Sequence, residues 1–415
     1  MRVIPRRKVE FSFQELREIA RWLFSRRRSD PISDFERQFA RYVGVSHAVV
    51  VPSARVGLSL LLDKLDLKPG DEILLSVYNY HVVPFLIKSK GFVPVFVDID
   101  PLTFNMKAEL IEEKITPKTK CVIATHLFGL ACRIEEIVSI CKKHRLLLIE
   151  DATHACGCEV GGKKVGSFGD FSFFSFGTGK TLMAFGGGMV VSHNEALFAK
   201  FKEYLQSFGV SPRSFAQSVK HKLKVFLEAI FTNKFFFTVF VYPCLFIFHF
   251  FHFDPVEKFT RDSYTNADIN PGGKACRFSC LQAVIGLSQL WRIDHVNDRK
   301  ILYGKTLRKL LEDIKEVQTT FVPDNRSHVF LSFNLIVDDV DKLRKYLLFH
   351  GVDTKLCHMR NCSVFFAGHD NYPGAAAIGM GMIELPCSAQ MSIQDIYYQA
   401  NLIRKFYGRE VKIFS

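Results

Sequence analysis

Short apolar runs alternate with amphipathic stretches along the first half of the chain, the spacing expected of strands separated by helices. Ala48-Val49-Val50-Val51 reads as a strand, Val56 to Leu65 as a helix, Pro69-Gly70-Asp71 as a turn and Glu72 to Ser76 as a second strand. A further helical stretch leads to Val93-Pro94-Val95-Phe96-Val97-Asp98. Cys121-Val122-Ile123-Ala124-Thr125, the helix-like Glu135 to Lys143 and Leu146 to Ile149 then make a strand-helix-strand unit. Upstream, Ser25-Arg26-Arg27-Arg28-Ser29-Asp30-Pro31 reads as a basic, solvated linker before the amphipathic Ile32 to Tyr42. Repeats of this kind predict an α/β fold, a mainly parallel sheet with helices on both faces and right-handed crossovers. Ligands in such sheets collect at the carboxyl ends of strands, and the run Leu146 to Ile149 ends in Glu150-Asp151.

Length and composition narrow the picture further. A chain of 415 residues, 48% of them hydrophobic, can bury one extended α/β domain and a smaller one, so disorder is not the expectation. The net charge of +13 would suit a polyanion or an anionic membrane, but it is modest for this length. No nucleic-acid partner is expected. Eleven cysteines lie scattered without paired zinc-type spacing, and the opening Met1-Arg2-Val3-Ile4-Pro5 lacks the look of a cleavable signal. A reducing cytoplasm is expected rather than a disulfide framework, and no metal site.

The chemistry centres on Lys180, within Phe174-Ser175-Phe176-Gly177-Thr178-Gly179-Lys180-Thr181. An acid at the mouth of a buried strand, followed by a glycine-flanked lysine, suits pyridoxal 5'-phosphate. That cofactor needs an amine to hold its aldehyde and a carboxylate to keep its ring nitrogen protonated. Gly179-Lys180-Thr181 also resembles the end of a P-loop, which requires a glycine five positions before Gly179. Phe174 stands there, so that reading fails.

Further segments complete the pattern: Phe35-Glu36 through Phe39-Ala40, Tyr42-Val43-Gly44-Val45, Pro69-Gly70-Asp71-Glu72, and Pro94 through Asp98-Ile99-Asp100. To these add Ile149-Glu150-Asp151-Ala152, Gly166-Ser167-Phe168-Gly169-Asp170, Leu281-Gln282-Ala283, Gly286-Leu287, Gly351-Val352-Asp353-Thr354 and Leu385-Pro386-Cys387. As an ordered set they resemble the DegT/DnrJ/EryC1/StrS family of pyridoxal phosphate-dependent sugar aminotransferases, of the aspartate aminotransferase fold type, over nearly the whole chain except residues 206 to about 262.

The resemblance implies roles residue by residue. Lys180 falls where the family keeps its Schiff-base lysine, and Asp151 where it pairs an acid with the pyridine nitrogen. His154 falls near the place of the cofactor's phenolic oxygen, Tyr80 against the ring face, and Ser175 at the phosphate. Each has an ordinary alternative: Asp151 as a helix N-cap, His154 and Tyr80 as plain core residues. Where the family has Ser-Gly-Thr at the phosphate, this chain has Ser53-Ala54-Arg55, whose helix N-terminus and guanidinium still suit an anion. Where the family sends an asparagine to the neighbouring subunit's phosphate, this chain has Ala275-Cys276-Arg277-Phe278, with Arg277 or Lys274 as the expected substitute. A homodimer follows from the resemblance as the smallest active unit. Relatives that dehydrate sugars carry histidine in place of Lys180, so the lysine favours amino transfer from an amino acid, glutamate foremost, to a keto-sugar. That sugar is expected to be nucleotide-linked, in surface polysaccharide or glycan biosynthesis. A cofactor-binding regulator of the same fold is the alternative. His369, Asp370 and Asn371 are candidates for the sugar pocket or an exposed turn.

The chain divides by this reading into a large cofactor-binding domain at 1–206, an insertion at 207–262 and a smaller α+β C-terminal domain at 263–415. The insertion opens with Arg213, Lys220, His221, Lys222 and Lys224, then runs from Phe235 to Phe253 without a formal charge. A membrane-surface anchor, buried helices in a dimer interface or lid, and a span all remain open for 235–253. Pro243 is expected to kink or break a helix there, which suits two short legs. The anchor reading would hold a cytoplasmic enzyme peripherally at the inner face of the cytoplasmic membrane.

Overall fold

The apolar runs become the strands of one large sheet in the computed structural model, which describes residues 2–6, 9–25, 30–208, 227, 230–250, 276–366, 371–379 and 381–412. Its strands are β1 His47–Val51, β2 Glu72–Ser76, β3 Val93–Val97, β4 Thr119–Thr125, β5 Leu147–Asp151, β6 Phe171–Ser175 and β7 Gly188–Ser192. They lie in the order β1-β7-β6-β5-β4-β2-β3. Strands β2 to β6 are parallel, and β7 runs antiparallel to both its neighbours.

A separate apolar core lies on each face of this sheet, as the alternation of side chains along a strand requires. In β4, Val122 and Ala124 enter the core shared with α2 (Pro31–Val43) and α5 (Ile134–His144). Cys121 and Ile123 enter the other, shared with α3 (Ala54–Lys64), α4 (Val82–Ser89) and α6 (Glu195–Ser207). Helix α2 starts and stops where local chemistry dictates. Asp30 caps its first turn by accepting from the Ile32 N–H at 3.1 Å, Pro31 occupies the first helical position, and Gly44 ends it in the left-handed region.

A smaller antiparallel sheet follows, of strands β8 Val317–Thr319, β9 Phe333–Val337, β10 Lys355–Leu356 and β11 Met382–Leu385, in the order β8-β9-β11-β10. Helices Ile293–Leu311, Val340–Phe349 and Ile393–Phe406 cover it. Core membership crosses the segment boundaries expected from the sequence. Ile4 bridges to Val352 in the smaller unit, whereas Phe278, Ala283 and Leu290 pack in the larger core beside α2.

Pro243 does not break its segment. A helix runs from Lys234 to Phe250, and a π-helical turn at Phe237–Val241 just before the proline relaxes the register that its missing N–H would otherwise disrupt. Phe237, Tyr242 and Leu245 are buried against Val3 and Leu348. Tyr242 donates its hydroxyl to the Leu348 carbonyl at 2.8 Å, and Phe246 meets Phe349 edge-on. Among the described residues no helix is long and apolar enough to cross a membrane. The basic positions from Arg213 to Lys224, the linker at 26–29 and residues 251–253 lie outside the described residues.

Candidate active site

Lys180 stands in the connection between β6 and β7, at the carboxyl edge of the parallel strands, with its own N–H bonded to the Gly177 carbonyl at 3.2 Å. Asp151 is the last residue of β5. Both line one cleft of about 640 Å³ that reaches from the large sheet to the smaller one. Asp151 accepts from the Thr153 N–H at 3.0 Å. Burial raises its carboxyl above the ordinary range, opposed by the Thr153 hydrogen bonds and the positive charge of Lys180. A buried carboxylate so placed favours a cationic partner.

His154 and Tyr80 line the same cleft. His154 Nδ1 accepts from the Phe128 N–H at 3.4 Å, with Phe128 itself in the left-handed region at φ 56°. Burial, with Lys180, His358 and Lys355 near by, holds the His154 ring well below its usual titration range, so it is neutral near pH 7 and its Nε2 carries the hydrogen. The Tyr80 ring lies 6.0 Å from that of His358, edge to face.

Ser53, Ala54 and Arg55 bring the N-terminus of α3 to the cleft, with Ser53 capping the Val56 N–H at 3.2 Å. Gly188 lets this turn approach β7, because a Cβ there would collide with the Phe174 carbonyl and the Ala54 nitrogen. Ser175 joins them, its hydroxyl accepting from the Gly177 N–H at 3.5 Å. Ser175 shares its sheet face with Phe171 and Phe173, whereas Phe174 and Phe176 point the other way. A helix N-terminus, an arginine and a serine in one corner make a phosphate cradle. Thr181, also in the cleft, has a buried hydroxyl with no hydrogen-bond partner among the described residues. These groups fit pyridoxal phosphate: a cradle for its phosphate, an acid for its ring nitrogen and an amine for its aldehyde.

Arg277, the expected substitute for a contact to the neighbouring subunit's phosphate, is exposed and does not line its own chain's cleft, and Asn371 is likewise exposed and outside that lining, where its exposed-turn alternative would put it. Lys274, His369 and Asp370 lie outside the described residues. Sequence reasoning missed the smaller sheet's contribution, Lys355, His358 and Glu384. The Lys355 ammonium lies 3.3 Å from Glu384 and 3.0 Å from His358 Nδ1. Burial opposes the charge on Glu384, yet the Lys355 ammonium beside it holds its pKa at about 2. No local motif announces these residues, since strand register alone brings them together.

A profile of the DegT/DnrJ/EryC1/StrS aminotransferase family matches residues 7–404. GDP-perosamine synthase of Escherichia coli O157:H7 is 28% identical over 396 residues, which cover 93% of this chain and 92% of that one. GDP-perosamine synthase of Vibrio cholerae is 39% identical over 179 residues, 43% of this chain and 48% of the relative. Among solved structures, Helicobacter pylori PseC, an aminotransferase involved in the biosynthesis of pseudoaminic acid, superposes with a TM-score of 0.76 at 19% identity, covering 98% of this chain and 99% of that one. At that identity the likeness speaks for the fold.

Proposed function

Because this chain belongs to the DegT/DnrJ/EryC1/StrS aminotransferase family, whose members depend on pyridoxal phosphate, we propose that it moves an amino group from an amino acid, glutamate foremost, to a nucleotide-linked keto-sugar in the assembly of a surface polysaccharide or glycan. The observation that carries this reading is the pairing of Asp151 and Lys180 on one cleft beside the α3 phosphate cradle. The synthase names of the relatives favour turnover over a sensor of the same fold.

Bound there, the cofactor would supply a carbonyl and an electron-accepting ring that carry the amino group between substrates. The chain's residues divide the remaining work. Asp151 holds the proton on the ring nitrogen. Lys180 would provide the amine and move the proton between the substrate carbon and the cofactor carbon, a task that its place on the same cleft as Asp151 suits. Ser175 and the Ser53–Arg55 turn fix the phosphate. Tyr80 covers one side of the ring, and the neutral His154 offers its Nε2–H as a donor near the phenolic oxygen. Absorbance of the protein loaded with the cofactor tests this reading: glutamate should bleach the visible band in the wild type, and Lys180→Ala should lack the response.

Assembly and location belong to the same reading. In a two-fold dimer, Arg277 would reach the partner's cleft rather than its own. The segment from Phe235 presents an apolar face to solvent, with Phe235 66%, Phe240 54% and Ile247 56% exposed. That face, following a basic stretch in the sequence, suits attachment to an anionic membrane surface.

A further inference from the structure

Three side chains from three strands form a single row on the smaller sheet. Asn334 of β9 and Lys355 of β10 are each the direct cross-strand partner of Glu384 in β11, so all three share a face. Glu384 and Lys355 line the cleft that holds Lys180. Glu384 is 9% exposed, and its one donor among the described residues is the Lys355 ammonium, at 3.3 and 3.4 Å from its two oxygens. His358 Nδ1, 3.6 Å from the same carboxylate, is too far to donate and itself accepts from Lys355 at 3.0 Å. The ring hydrogen of His358 therefore sits on Nε2. Asn334 is 2% exposed, and its Nδ2 has no hydrogen-bond partner among the described residues.

An ionised carboxylate has about four lone-pair sites, and here one long contact leaves most of them unfilled. Beside it on the cleft stand the Lys355 ammonium and an imidazole N–H of His358. Neutral hydroxyl groups, each both donor and acceptor, can satisfy both kinds of site at once. A diphosphate or an amino-acid carboxylate would meet the charge of Glu384 and be repelled. Resting on the nucleotide-sugar reading above, we propose that Glu384 and Lys355, with His358, recognise the hydroxyl groups of the acceptor sugar and so set which sugar is aminated.

Calorimetric titration of the cofactor-loaded, full-length protein tests this with three pairs of probes: GDP and GDP-mannose, UDP and UDP-N-acetylglucosamine, dTDP and dTDP-glucose. For the pair that the wild type binds best, the sugar nucleotide should bind more tightly than the nucleotide alone. In Glu384→Gln that advantage should fall by about tenfold, the loss expected for hydrogen bonds to a charged acceptor, while the nucleotide alone binds as before. Equal weakening of both probes, or no weakening of either, overturns the proposal. Should E384Q lose the wild-type melting transition, His358→Ala, which keeps the Glu384–Lys355 pair, carries the same comparison with the same outcomes. A wild type that binds the nucleotides but gains nothing from any sugar overturns the recognition row alone. One that binds none of the six overturns the nucleotide-sugar reading beneath it.

Discussion

Glu150 and Asp151 are neighbours in the chain and turn to opposite sides of the large sheet. Asp151 opens on the cleft, whereas Glu150 is fully buried and accepts five hydrogen bonds, from the Gly166, Phe168 and Gly169 N–H groups, the Ser172 hydroxyl and His126 Nε2. The motif Gly166-Ser167-Phe168-Gly169 is thus a loop wrapped around a carboxylate. Glu150→Ala would strand those donors in the core. Urea melts of the variant should show a loss of about 3–5 kcal/mol, the scale for breaking a buried charged network.

Asp151 behaves in the opposite sense. Its folded pKa lies above its unfolded one, so its favourable contribution is complete below the unfolded pKa and disappears as pH rises through the folded value. Near neutral pH the cofactor-free protein carries this carboxylate only partly compensated by Thr153 and Lys180. Asp151→Asn should therefore leave the melting temperature of cofactor-free protein unchanged or higher. Adding pyridoxal phosphate should raise it less in the variant than in the wild type, because the pairing with the ring nitrogen is gone.

Glu384 supplies the acid-labile counterpart. With its pKa held at about 2 against a usual 4.5, it contributes stability above the unfolded pKa that is lost as pH falls through the folded one. The size is on the order of 3 kcal/mol. Stability measured from pH 5 down to about pH 2 should fall more steeply for the wild type than for Glu384→Gln.

The aromatic face of the insertion makes a separate prediction about location. Vesicles containing anionic lipid should carry the protein upward in a flotation gradient. Replacing Phe235, Phe240 and Ile247 by serine should leave it at the bottom with an unchanged melting transition, since all three are exposed. Retention of the triple variant on the vesicles would remove this face from the account.

The large sheet was legible because parallel strands buried on both faces read as continuous apolar runs, and Lys180 and Asp151 because their motifs are local. The recognition row was not. Lys355 and Glu384 are separated by tens of residues, and antiparallel register rather than any short pattern aligns them. At Pro243 the sequence left a kink or a break open, since a proline in a helical run does either, and the π turn that precedes it has no signature in residue type. Arg277 is recognisable by resemblance as a cross-subunit contact, and it lies outside its own chain's cleft.

The central claim, that Lys180 and Asp151 serve one bound pyridoxal phosphate, is tested most directly by the visible spectrum of the purified protein titrated with cofactor and then glutamate. The wild type should gain a band above the protein's own absorbance and lose it on adding glutamate. Lys180→Ala should show no such bleaching and at least a ~10³-fold loss of amino transfer. A wild type that takes up no cofactor, or a Lys180→Ala protein that transfers amino groups at the wild-type rate, would contradict the account.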